Sequence, residues 1–211
     1  MNKGREYCFM DLLEYENVKE LSYFQYCDYL QNKYGIGWYP YMTVSWNKNN
    51  RASRTTEGLV SHHKFEDRAI MLSHKEWAMK HPYEWQMPQN LIYCDYLEHL
   101  LLHILICENS LKNKDVPIGV GIGGIINYLV PELNDFYSGC EPKPEWKKTC
   151  LDKVKDDKNV YFALLKRFKE NCKENKYYTP YCLYKTYTPN GHYCSWSIEK
   201  NKKLFFEISK L

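Results

Sequence analysis

The stretch NLIYCDYLEHLLLH, residues 90–103, carries two histidines four positions apart inside a leucine-rich run. Leu91, Tyr96, Leu97, Leu100, Leu101 and Ile104 recur at helical spacing, so residues 90–109 are expected to form one helix with a wide apolar face. Four residues advance an α-helix by about 400°, placing His99 and His103 on one face about 6 Å apart along the axis. Both imidazoles can then reach one metal ion. A packed, hydrogen-bonded histidine pair is the plainer alternative at this point. Cys94 falls about 140° around the same helix and is expected outside any such site, whereas Cys107 shares the histidine face.

Upstream, SHHKFEDRAIML, residues 61–72, sets His62 and His63 side by side after the short apolar stretch of Leu59 and Val60. Successive strand residues point to opposite faces, so the two rings cannot serve one purpose in one direction. If one supplies a third nitrogen to a metal, the other faces away and is free to take a proton from water. The following Glu66, Asp67 and Arg68 are expected in a solvated turn, with Lys64, Arg68 and, before the strand, Arg54 as candidate phosphate contacts.

Together these residues resemble the HNH endonuclease family and its ββα-metal motif. The match consists of His62-His63 on a first strand, Asn90 at the start of a helix, and His99 with His103 along it. The nine-residue step from Asn90 to His99 is similar to the colicin DNase version. The resemblance implies that His62, His99 and His103 hold the metal, that His63 is the general base, and that Asn90 braces the loop by bonding its backbone. It covers residues 59–103. Residues 64–90 make a longer interval than in compact members, an insertion that costs little when it lies in a loop.

The implied architecture is α+β, a ββα-metal core embedded in a mainly helical domain. Residues 1–50 form an N-terminal segment, 51–110 the core and 111–211 a C-terminal extension open to a role in DNA recognition. The implied reaction is hydrolysis of a DNA phosphodiester, restriction-like or in defence or phage biology. The alternatives are a nuclease toxin acting on DNA or RNA, and a zinc-stapled nucleic-acid-binding protein with Cys107 as fourth ligand. One divalent ion is expected, Zn²⁺, Mn²⁺, Ni²⁺ or Mg²⁺, with three imidazoles favouring the transition metals. Double-stranded DNA is the expected partner, and a homodimer is allowed.

The remaining sequence sets bounds. A net charge of +3 neither diagnoses nor opposes a nucleic-acid partner. Nine cysteines without a CxxC pair read as free thiols in a reducing cytoplasm. No apolar run reaches the length of a membrane span, and the charged N-terminus does not read as a signal peptide. Residues 1–40 read as helical up to Gly35, residues 36–50 as a strand or hairpin, and Ser73 as the cap of a short helix ending at Pro82. Gly119, Gly121 and Gly124 match GxGxxG, but only VPI precedes them, so a flexible or closely packed loop is expected rather than a dinucleotide site. Residues 147–176 suggest one amphipathic helix, and Pro189-Asn190-Gly191 a turn before a final helix or strand.

Overall fold

The computed structural model describes residues 8–187 and 198–211; the expected turn at 189–191 lies outside them. Two helices open the chain, α1 (Leu12–Val18) and α2 (Tyr23–Tyr34). Ser22 and Gln25 form a capping box at the start of α2, and the Gly35 N–H closes its end on the Gln31 carbonyl. Residues 36–50 contain no strand, only an isolated bridge between Met42 and Lys48. Trp46, at φ 61°, breaks the extended path there.

Strand β1 (Val60–His63) pairs antiparallel with β2 (Leu91–Cys94), placing His63 opposite Leu91 and Val60 opposite Cys94. The connection carries the short helix α3 (Lys75–Ala78), preceded by His74 rather than capped by Ser73. Helix α4 (Tyr96–Lys112) follows β2 after the single residue Asp95. The expected unbroken helix from Asn90 is therefore a tight turn, a strand and then a helix. Asp95 makes the break: its carboxylate accepts the N–H groups of Leu97 and Glu98 while Glu98 accepts the Asp95 N–H. All four β2 residues are buried, so the strand shows no apolar–polar alternation and reads like the helix it precedes.

Beyond α4 come a single turn, α5 (Ile122–Gly124), a π-helical turn over Ile125–Leu129, α6 (Val130–Tyr137), α7 (Glu145–Leu151), α8 (Lys158–Asn171) and α9 (Ile198–Ile208). The expected helix over 147–176 is thus two, interrupted at 152–157. Helix α4 is the spine, packed by α2 on one side, α8 on another and the α5 segment on a third. Leu100, Leu101, Leu102, Ile104 and Ile106 are all fully buried, each worth about 1.5–3 kcal/mol against exposure. Arg167 of α8 grips Glu108 of α4 through two hydrogen bonds, 2.7 and 2.9 Å. One hydrophobic cluster runs from Met10 to Ile208. Small sheet and surrounding helices make this an α+β protein. No described helix is long and apolar enough to cross a membrane.

Candidate metal centre

Strand and helix converge on three imidazoles. His62 from β1 and His99 and His103 from α4 each bring a ring nitrogen within 4.8 Å of the others. The His99 and His103 Nε2 atoms are 3.2 Å apart, and two ligands of a tetrahedral ion at about 2.0–2.1 Å stand about 3.3 Å apart. The i, i+4 spacing produces this pair directly. His62 reaches it because the antiparallel hairpin lays β1 against the start of α4.

Neighbouring groups set the His62 tautomer. The Tyr23 hydroxyl donates to the Lys64 carbonyl at 3.0 Å, so at 2.9 Å it accepts from His62 Nε2–H. That leaves Nδ1 with its lone pair free. This atom is fully buried without a hydrogen-bond partner, 3.6 Å from the Glu66 carboxylate. A buried lone pair on a ring 5.0–5.2 Å from two other imidazoles fits a cation, and a metal-binding histidine typically donates its other N–H to such a partner. Burial pushes the His62 imidazole down to about 3, only partly countered by Glu66, with His103 and His63 adding to the depression. Burial likewise holds His99 well below the usual range and His103 below it. The rings are therefore neutral, as ligation requires. The donor set suits one borderline divalent ion.

His63 diverges as expected of its neighbour. Its ring packs edge-on against Tyr41, centroids 4.6 Å apart, and Nε2 lies 3.2 Å from Gln86 Oε1. The Gln86 amide nitrogen donates to the Leu72 carbonyl at 3.1 Å, so its oxygen faces His63 and takes the Nε2 proton. The basic nitrogen is then Nδ1, 3.4 Å from Glu66. His63 itself is almost completely buried.

Glu66 is the residue the sequence reading placed wrongly. The expected solvated turn instead folds its carboxylate inward, against His62, His63 and, at 3.4 Å, His103. Burial would raise this carboxyl, but the His62, His63 and His103 rings beside it outweigh burial and hold it below the carboxylate range, and the His63 backbone N–H donates to it at 3.4 Å. Tyr23 and Gln86 were missed as well; nothing in their sequence neighbourhood marks them.

A cleft of about 700 Å³ opens at this centre, with Glu66, His99 and His103 among its lining residues. The glycine-rich segment forms one wall. A Cβ on Gly124 would land on Cε1 and Nδ1 of the His103 ring, and Gly121, at φ 72°, brings its backbone against the His103 carbonyl. Gly121 and Gly124 thus serve close packing, whereas a Cβ on Gly119 would meet only Tyr177 at an ordinary 3.5 Å.

Asn90 stands in the turn before β2, not at a helix start. Its side chain donates to the Glu84 carbonyl at 2.7 Å and its carbonyl accepts from Lys64 N–H at 2.9 Å, tying together both ends of the inserted loop. None of the candidate phosphate contacts lines the cleft. Arg54 binds Glu57 and the Tyr34 carbonyl, Lys64 pairs with Asp28 at 2.9 Å, and Arg68 lies by Asp67 and over the Phe65 ring. Cys107 is buried, accepting from Asn175, and stands outside the imidazole cluster, as does Cys94 on β2.

Compared with known proteins, the chain matches no family model, no curated protein and no solved structure.

Proposed function

We propose that this protein is a metal-dependent nuclease of the HNH kind, hydrolysing phosphodiester bonds in DNA. The observation that carries the reading is the strand–strand–helix unit that brings His62, His99 and His103 together with His63 beside them, in the order the motif requires. A divalent ion held there would act as a Lewis acid on a phosphoryl oxygen and the leaving oxygen. His62, His99 and His103 would hold it, with Tyr23 fixing the His62 tautomer. Gln86 keeps the His63 proton on Nε2, so Nδ1, beside Glu66, would receive the proton of the attacking water. Glu66 steadies the resulting imidazolium. Asn90 holds the loop that carries Gln86.

A second reading is favoured by Glu66 alone. A carboxylate 3.4–3.6 Å from two of the three ligands can close the coordination shell, and a closed shell marks a structural zinc site. Incubation with supercoiled plasmid and with tRNA, in Mn²⁺, Ni²⁺, Zn²⁺, Mg²⁺ or EDTA, separates the readings. Metal-dependent strand breaks that disappear in His63→Ala support the nuclease. Tight metal binding without breakage of either substrate supports the structural site.

A further inference from the structure

The part of the cleft lined by the C-terminal helices has its own chemistry. Helix α7 contributes Trp146 and Lys147, the π-helical turn Asn127 and Tyr128, and α6 Glu132. Trp146 and Tyr128 line the cleft and are 46% and 50% exposed, with the Lys147 ammonium over one face of the Trp146 ring, 5.6 Å from its centroid. Among the described lining residues Lys147 is the sole lysine or arginine, and it is bound at 2.6 Å to Glu132. Away from the imidazoles the cleft therefore offers a phosphate chain no net positive charge. It offers a flat neutral group two aromatic surfaces and an exposed side-chain amide. Its volume is on the scale of small-ligand sites, roughly 300–1,000 Å³, enough for one or two nucleotides and not for a duplex.

We propose that this part of the cleft receives a single unpaired nucleobase, held against Trp146 and Tyr128 and hydrogen-bonded at its edge by Asn127. The proposal rests on the nuclease reading, which puts the adjoining phosphate at the imidazoles. Stacking tolerates every base because each has a π-face, whereas the Asn127 amide, one donor beside one acceptor, suits the adenine edge. A strand is thus taken unpaired, or one nucleotide is drawn out of a duplex, before cleavage.

The test is fluorescence anisotropy in EDTA with a short labelled single strand of DNA, the same strand with its central bases removed, and the same sequence as duplex; an RNA strand of that sequence serves as a further arm. The intact single strand should bind about tenfold more tightly than the abasic strand, and Trp146→Ala and Tyr128→Ala should each lose about tenfold for the intact strand alone. Equal affinity for intact and abasic strands, preference for the duplex, or unchanged binding by both variants would overturn the pocket. Plasmid cleavage in Mn²⁺ is scored separately. Cleavage by wild type with base-independent binding removes the pocket and leaves the nuclease. Base-dependent binding without cleavage in any metal keeps the pocket and removes the nuclease.

Discussion

At the residue scale, Glu66 and the two histidines above it make the sharpest expectations. His62 ordinarily titrates near 6.5 when unfolded but is pushed down to about 3 by burial. Across that interval the unfolded chain binds the extra proton, so stability present above about pH 6.5 is lost on acidification. The depressed Glu66 carboxyl acts in the same sense. Urea unfolding of the metal-free protein should show roughly 3 kcal/mol less stability at about pH 4 than at pH 7; a flat profile over that range contradicts the buried neutral imidazoles. His63→Ala and Glu66→Gln should each lower kcat, and the double variant should lose no more than the worse single one, because the two act as a unit. Additive losses would separate their roles. The pairing of His99 and His103 was legible because i, i+4 spacing survives any register of the surrounding fold, and His62 because its neighbour had to face the other way. Glu66 was not, since an acidic residue in KFEDR looks solvated until the turn after β1 is known to fold inward. Tyr23 was out of reach for a different reason: its contact with His62 spans 39 residues.

At the element scale, α5 is the wall that holds His103, and its glycines separate by position. Gly124→Ala should displace the His103 ring and weaken metal affinity by about 10–100-fold, the usual effect of disturbing a ligand's support. Gly123→Ala meets nothing within 4 Å and should bind metal like wild type. Calorimetry on the two variants checks the contrast; equal affinities would show that the close approach does not position the ring. The boundary between β2 and α4 shows what the sequence hides. LIYC is apolar throughout because both its faces are buried, so it continues the leucine pattern of the helix without a visible seam. Asp95 and Glu98 do carry the signal, a capping box inside an apolar run. With the helix begun after Asp95, the same residues give a strand and a helix in place of one long helix.

At the scale of the whole molecule, the C-terminal half completes the core around α4. Tyr161, Leu164, Leu165 and Phe168 of α8 are fully buried in the same cluster as Leu97 and Leu101. Removing residues 143–211 should therefore abolish cooperative unfolding followed by circular dichroism, before any question of specificity arises; a truncated chain that still melts in one sharp transition would show that residues 8–142 stand alone. The family resemblance stops at residue 103, and amphipathic helices beyond it do not reveal in sequence which partner covers their apolar faces. The account as a whole depends on one site. Titrating the metal-free full-length protein with Zn²⁺ in a calorimeter tests it most directly. One equivalent per chain should bind, with the affinity reduced at least about tenfold in both His62→Ala and His99→Ala while His63→Ala retains it. Failure to bind, or binding that survives both His62→Ala and His99→Ala unchanged, would contradict the three-imidazole centre.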